Sequence, residues 1–234
     1  MSMRLVVRYS KGEKVKYISH LDFMRLIQRA LRRADIPVAY SQGFNPHPRI
    51  SFASALAVGV TSQGEYLDIL LASSIDPQSL CDRINDKLPE GIRFIESVSI
   101  DEKAPSLMSL IERGEYLIKM PGQLFGSQNI VSLINRFLEQ EEIIITKVNK
   151  RGSRQVDIKE MIHSIDVLDQ NPEEVIIRTM ISSGSKANLR PEELVRALLD
   201  FAGTSSDLEL FLQIHRLNLY LPKDGSWVTP VELE

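Results

Sequence analysis

The sequence predicts an α+β protein made of two ferredoxin-like (βαββαβ) units with antiparallel sheets. Segments with strand-like alternation are interspersed with segments whose apolar residues recur at helical spacing. In the first hundred residues these segments follow the order β-α-β-β-α-β, and the second half repeats that order. We expect an N-terminal domain over residues 1–103 and a C-terminal domain, with an extra hairpin strand, over 104–234.

In the first half, residues 4–9 alternate around apolar positions and are predicted to form a strand. Ser19 is a good N-cap for a helix that ends near Asp35, before a proline. Residues 50–52 and 65–71 are predicted strands. Asp76 followed by Pro77 begins a second helix, and residues 92–100 form the closing strand.

In the second half, residues 115–120 are a predicted strand and the next helix presents an apolar face, after which residues 143–148 pair in a hairpin with 156–167. Residues 175–181 extend the sheet, and residues 208–221 close it. Between them Arg190 and Pro191 open a helix with Phe201 turned inward. The apolar face of the earlier helix consists of Ile130, Ile134, Phe137 and Leu138.

Composition excludes several classes of function. No apolar run reaches the roughly 20 residues that span a bilayer, and the N-terminus lacks the apolar centre of a signal peptide, so a cytoplasmic protein is expected. The single cysteine, Cys81, allows no internal disulfide and cannot alone hold an iron–sulfur cluster. Glycine-rich phosphate loops and nucleophile elbows are missing.

Positive charge is concentrated near the N-terminus. Residues 1–50 carry ten Lys or Arg against three acidic residues, a net charge of +7, whereas the remainder carries −10. Helical spacing places much of the charge of the first helix on the side opposite its apolar stripe. That side is a candidate surface for an anionic partner, or simply a solvated helix face. The arginines concerned are Arg25, Arg29, Arg32 and Arg33.

The loop at residues 41–49 is the most unusual local sequence. Pro46 and Pro48 fix φ and restrict the preceding residues, so His47 is presented in a restricted geometry, while Gly43 permits close backbone approach to a ligand. His20 begins the first helix and is a second candidate acid or base; the alternative is that both histidines only pack. The candidate binding residues of the loop are Ser41, Gln42, Gly43, Phe44, Asn45, His47 and Arg49.

The sequence has a second basic surface but lacks the patterns typical of a metal site. His163 and His215 lie in predicted strands and no paired-ligand spacing occurs, so no metal is expected. Positive side chains cluster around the predicted hairpin turn and either follow a phosphate backbone or remain solvated. They are Lys147, Lys150, Arg151, Arg154 and Lys159, of which Lys150, Arg151 and Arg154 are the predicted contacts.

Several stretches closely resemble the radical-SAM-linked protein family: residues 17–22, 29–34 and 41–53, then Gly59 and residues 65–68, with a looser likeness through Arg190-Pro191-Glu192 and His215-Arg216. Members of that family occur alone or fused behind a radical SAM domain. The resemblance implies a bacterial cytoplasmic accessory whose partner carries the iron–sulfur cluster and S-adenosylmethionine. The element order is also similar to that of RNA-processing proteins of CRISPR systems, but their glycine-rich C-terminal loop is missing here.

The leading hypothesis is therefore a non-catalytic module that binds a substrate or partner for a radical SAM enzyme, with RNA as a further candidate partner. Its working surface would be His20 and the loop at residues 41–49. The alternative is a stand-alone RNA-binding protein, or a metal-independent ribonuclease that uses His20 or His47 as acid or base.

Overall fold

The computed structural model describes residues 2–149, 152–204 and 212–233. It confirms a mixed α+β protein in which the strands are mostly antiparallel. The chain forms two compact units, one of Met1–Glu112 with Arg216–Glu234 and the other of Arg113–His215. Among the described residues, no helix is both long and apolar enough to cross a membrane.

The described residues of the first unit contain two longer helices, one short helix and six strands. The elements are β1 (Met3–Lys11), α1 (His20–Arg33), β2 (Ile50–Phe52), β3 (Thr61–Leu71), α2 (Pro77–Asn85), β4 (Ile92–Ile100), α3 (Leu107–Leu110), β10 (Gln213–Lys223) and β11 (Ser226–Val228). The strands run in the order β4-β1-β3-β10, while β2 pairs with β3 and β11 pairs with β10.

Apolar side chains cover both faces of this sheet because successive strand residues point to opposite sides. Leu5 and Val7 of β1 belong to a cluster with α1 and α2, whereas Val6 belongs to a second cluster with α3 and β10. Ser19 caps α1 as predicted, since its side chain accepts the Asp22 N–H. The predicted bounds of β2 and β4 match the structure, and β3 begins four residues before the predicted strand.

The first unit extends beyond the predicted boundary at residue 103. Arg4 explains this, because its guanidinium binds the carbonyl oxygens of Ala104 and Pro105 while also pairing with Asp68. Leu107 is fully buried in the cluster on the same side of the sheet. Residues 104–112 are therefore anchored to the strands of the first unit.

The second unit has the strand order β5-β9-β8 and a separate two-stranded sheet, β6-β7. Its helices contact one another, and α4 also contacts β8. Phe201 is not fully inward as predicted: it stays 37% exposed, with its ring 5.6 Å from that of Phe137. The elements are β5 (Arg113–Pro121), α4 (Ile130–Leu138), β6 (Ile144–Asn149), β7 (Gly152–Asp157), β8 (Ile162–Gln170), β9 (Glu174–Ser182) and α5 (Pro191–Ala202).

The prediction of one strand over residues 156–167 was wrong. Asp157 ends β7, because its carboxylate accepts the backbone N–H groups of Ile143 and Lys159. A short 3-10 turn, Lys159–Met161, follows and redirects the chain into β8, which pairs with β9. A hairpin does form here, but its second strand, β7, begins at Gly152, inside the predicted turn, and shares only residues 156–157 with the predicted strand. Of the predicted closing strand, residues 208–211 lie outside the described part, and β10 covers the rest.

A buried ion pair joins β3 to β10 inside the first unit. Arg216 Nη1 donates to both carboxylate oxygens of Glu65 at 3.0 Å, and both side chains are almost fully buried. Ser62 Oγ donates to the Arg216 carbonyl oxygen at 3.1 Å. The segment that returns to this unit after α5 is thus fastened to β3 by charge as well as by backbone pairing.

We predict that Glu65→Gln lowers the free energy of unfolding by about 3–5 kcal/mol, because it leaves the Arg216 charge buried without its counter-ion. Urea unfolding of the full chain measures this. Glu96→Gln is the matched control: it removes the more exposed pair with Arg8 and should cost less than about 1 kcal/mol. Equal losses in the two variants would contradict a special role for the buried pair.

Candidate partner-binding site

The loop at residues 41–49 is a narrow hairpin anchored on the edge of β3. Ala39 donates its N–H to the Leu70 carbonyl, and Leu70 donates to the Arg49 carbonyl. Arg49 in turn donates to Ala39, which closes the base of the loop. Above the base, Ser41 N–H donates to the His47 carbonyl and His47 N–H donates to Ser41 Oγ, both at 2.9 Å. The loop therefore has a defined backbone.

The tip of this hairpin, residues 42–46, stands in solvent. Phe44 is fully exposed and Tyr40, at the base, is about half exposed. Gly43 has φ of +124°, a conformation that favours glycine, and no atom of the described residues lies within 4 Å of the position a Cβ would take. Glycine is thus required here by the backbone and not by close approach of another group. Aromatic residues are enriched where protein surfaces form interfaces.

His20, at the start of α1, lies near several exposed apolar side chains that are separate from Phe44. Its ring meets the Phe52 ring edge-on, with 5.3 Å between ring centroids, and the side chain is half-buried. Tyr17, Leu21 and Val58 are each more than half exposed. Gly59 ties the two segments together, because its N–H donates to the Lys16 carbonyl at 3.0 Å. We call Tyr17, Leu21 and Val58 the apolar patch.

Buried polar groups hold this end of α1 in place. Lys11 Nζ donates to the carbonyl oxygens of Lys16 and Ile18, immediately before the helix, and lies over the Phe23 ring. Burial lowers the pKa of Lys11, and the nearby Glu65 carboxylate acts in the opposite direction. Burial also disfavours the charged form of Glu65 and so raises its pKa, whereas the Arg216 charge lowers it. The role of Lys11 was not predicted from the sequence. A lysine at the end of an apolar strand is a signal that could have indicated it.

The two candidate histidines have different described contacts in the first unit. At the base of the loop, the Arg49 carbonyl accepts a hydrogen bond from the Leu70 N–H of β3. Phe52, whose ring contacts His20, lies opposite Leu67 of β3. Within the described part of the chain, no hydrogen bond joins His20 to His47. His47 is exposed, and its described bonds are those of its backbone. The described contacts therefore do not bring the two histidines together.

The predicted basic face of α1 is exposed at all four arginines, Arg25, Arg29, Arg32 and Arg33. Arg25 pairs with Asp22 at 3.3 Å, and Arg33 donates to the Lys87 carbonyl at 2.7 Å. Among described residues none forms an ion pair with Arg29 or Arg32. These two side chains remain available to an anionic ligand.

The basic hairpin is less available than its sequence indicates. Lys147 pairs with Glu193 and donates to the Asn188 carbonyl, both at 2.9 Å. Lys159 binds carbonyl oxygens at the end of α4. Arg154 is exposed, whereas Lys150 and Arg151 lie outside the described residues. Two of the five cations therefore serve the fold of the second unit.

Cys81 and His163 were further candidates for chemistry in the sequence, and they have different surroundings in the structure. Cys81 is buried in α2, and burial raises the pKa of its thiol, which disfavours the reactive thiolate. His163 Nε2 lies 3.1 Å from Ser182 Oγ in the second unit. The described residues include no group of three or more histidine, cysteine or acidic side chains that could hold a metal.

These observations define a mixed α+β protein with an ordered, exposed loop at residues 41–49. Over residues 4–191 the chain matches a family described as "Uncharacterized protein conserved in bacteria (DUF2344)". Because the match spans most of the chain, the protein belongs to that family. A comparison with curated proteins finds no match.

Similar solved structures are known. A Cbf5-Nop10-Gar1 complex has 12% identity and a TM-score of 0.46, covering 91% of this chain and 47% of that one. An H/ACA RNP bound to a substrate RNA containing 2'-deoxyuridine has 12% identity and a TM-score of 0.45, covering 94% and 47%. The chain thus spans about half the length of these two. The acetolactate synthase small subunit from Thermotoga maritima has 15% identity and a TM-score of 0.26, covering 94% of each chain.

We predict that Gly43→Ala loosens the loop, because an alanine at a φ of +124° costs about 1–3 kcal/mol. Amide hydrogen exchange at Ser41 and His47 should become at least about fivefold faster. Gly203→Ala, which also replaces a glycine of positive φ but in the second unit, is the control and should leave both amides unchanged. Unchanged exchange in Gly43→Ala would mean that the loop tolerates the side chain.

His163 should titrate below the ordinary histidine value of 6.5, since burial lowers its pKa and the charge of Arg113 acts in the same direction. In the unfolded chain His163 binds a proton more readily than in the folded chain. The contribution of His163 to folding stability is therefore present above pH of about 6.5 and is lost as pH falls through the pKa of His163 in the folded chain. An NMR titration measures the midpoint, and His163→Gln should flatten the pH dependence of unfolding in that range. A midpoint at or above 6.5 contradicts the prediction.

Proposed function

We propose that this chain is a non-catalytic accessory module that binds a radical SAM protein through the loop at residues 41–49. The observation that carries the proposal is the complete exposure of Phe44 on a hairpin whose base is fixed to β3. The exposed Phe44 ring contributes nothing to the core, and burying it against a partner would remove its apolar surface from water. Its placement on an ordered turn is explained if a partner buries it.

Interface energetics support this reading of the loop. Aromatic and arginine side chains are enriched where protein partners meet, and a few of them supply most of the binding free energy. Phe44 and Arg49 are both exposed on the same short hairpin. Because the loop backbone is already ordered, little conformational entropy is lost when a partner binds.

The apolar patch is a second contact region under this proposal. Tyr17, Leu21 and Val58 lie around the first turn of α1 and expose large apolar surfaces. Tyr17 and Leu21 fall in the stretch that resembles the radical-SAM-linked family, as does Phe44 in the loop. The resemblance and the exposed apolar groups therefore point to the same unit of the chain.

The proposal also covers the fold of each unit, the location of the cofactors and the cellular compartment. The order β4-β1-β3, with β2 added to β3 and two helices packed on one face, supports a ferredoxin-like first unit. In the second unit the order β5-β9-β8 supports the same assignment, with β6 and β7 as an inserted hairpin. The iron–sulfur cluster and S-adenosylmethionine are assigned to the partner, and both proteins are taken to be cytoplasmic.

RNA is the second candidate partner, favoured by the exposed and unpaired positions of Arg29 and Arg32 among the described residues. It can be separated from a protein partner during purification. Association that survives nuclease treatment rests on protein contacts. Association that nuclease removes, and that weakens steeply with added salt, rests on phosphate contacts.

We predict that the chain co-purifies with its cognate radical SAM protein from native lysate and that Phe44→Ala weakens the complex at least about 30-fold, as expected for a buried aromatic anchor. Purified proteins and calorimetry give the affinity. Met108→Ala removes another exposed apolar side chain, 54% exposed, from α3 and is the control. It should change the affinity less than about threefold.

Two results would count against the proposal. One is the absence of any association between the wild-type chain and the radical SAM protein. The other is an equal loss in Phe44→Ala and Met108→Ala, which would mean that general surface hydrophobicity, and not the loop, supports binding. Circular dichroism of both variants shows whether each remains folded.

A further inference from the structure

A groove lies between α1 and the segment that follows α2 in the first unit. It has a volume of about 510 Å³ and is lined by Leu26, Arg29 and Arg33 on one side. These three residues are spaced by three and four along α1 and so share one face of the helix. The other side is formed by residues 86–89. The loop at residues 41–49 takes no part in it.

The floor of the groove is apolar. Leu26 and Leu88 are half-buried and pack against the core cluster beneath α1 and α2, and Pro89 completes the lining. A ligand with a planar or apolar body would therefore displace water from surfaces that gain nothing from hydration. The volume lies within the range of about 300–1,000 Å³ that is usual for small-molecule sites.

The rim of the groove is positive. Arg29, Arg33 and Lys87 outnumber the one acidic residue, Asp86, so the lining carries a formal charge of +2. Arg33 already spans the groove, because its Nη2 donates to the Lys87 carbonyl at 2.7 Å. That bond fixes one cation and leaves Arg29 exposed beside it. The arrangement suits an anion and repels a cation.

We infer that the groove binds the phosphate group of a nucleoside phosphate, with Arg29 and Lys87 at the phosphate and the base over the apolar floor. A free mononucleotide and a nucleotide unit of an RNA strand present the same chemistry, and both would bring one phosphate between two cations. The inference does not depend on binding of a radical SAM protein, since the groove and the loop share no residue, but it shares Arg29 with the RNA alternative.

Calorimetry with the full chain tests the inference, using uridine monophosphate, adenosine monophosphate, an eight-nucleotide oligouridylate and inorganic phosphate as separate probes. We expect saturable binding of a mononucleotide or of the oligonucleotide with a Kd at or below about 1 mM. Tighter binding of the mononucleotide identifies a free ligand, and tighter binding of the oligonucleotide identifies RNA.

Variants locate the site. Arg29→Gln and Lys87→Gln should each weaken binding about tenfold or more, as expected for loss of a charge-assisted hydrogen bond. For the mononucleotides, Arg32→Gln is the control: it removes the same charge from the same helix but outside the groove, and should change their affinity less than about twofold. Asp86→Asn should strengthen binding by a few-fold, because it removes the one negative charge of the lining.

Three results overturn the inference. No saturable binding of any probe would remove the site. Equal losses in Arg29→Gln and Arg32→Gln would show diffuse attraction to the helix and not a groove. Inorganic phosphate binding as tightly as the nucleotides would show that the apolar floor does not contact a base.

Discussion

The buried ion pair between Glu65 and Arg216 is the interaction on which the first unit depends. Both charges lie in the interior, where their desolvation is costly unless each satisfies the other. The pair joins β3 to a strand more than 140 residues later in the sequence, so it fixes the position of the returning chain. Apolar contacts from β10 can then cover the sheet face opposite α1 and α2.

The same buried charges reach the candidate site through Lys11. This lysine sits near Glu65 at the end of β1 and uses its ammonium group to bind the two carbonyl oxygens ahead of α1. The start of α1 is therefore set by a polar contact inside the core and not only by its own capping residue, Ser19. His20 and the apolar patch keep their positions because the chain before them is held in this way.

Local signals in the sequence predicted much of the fold. Ser19 and Asp76 cap helices through their own side chains, and β2 and β4 have the expected bounds, because these features depend on neighbouring residues. Long-range features escaped prediction. Arg216 looks like any strand arginine until β10 places it against Glu65, and Arg4 gave no sign that it would bind the chain near residue 104.

The candidate site was predictable in part for the same reason. Gly43 and the prolines around His47 indicated an ordered loop, and the loop is ordered. The exposure of Phe44 was not predictable, because an aromatic residue between glycine and asparagine could equally have folded back onto the sheet. The prediction that the hairpin cations form a binding surface failed for a different reason. Lys147 contacts Glu193 of α5 and Lys159 contacts the Leu138 carbonyl of α4, and both contacts depend on how those helices pack against the hairpin.

The arginines of α1 show why a charged helix face should not be treated as one surface. Helical spacing predicted a single positive side, yet its members differ in what they contact. Arg25 is paired within the first turns, Arg33 is tied across the groove, and Arg29 stands beside it. An anion approaching this helix therefore meets a fixed cation and an exposed cation at the groove, above an apolar floor. Charge alone would attract a phosphate anywhere along α1, whereas the groove can also retain the body attached to it.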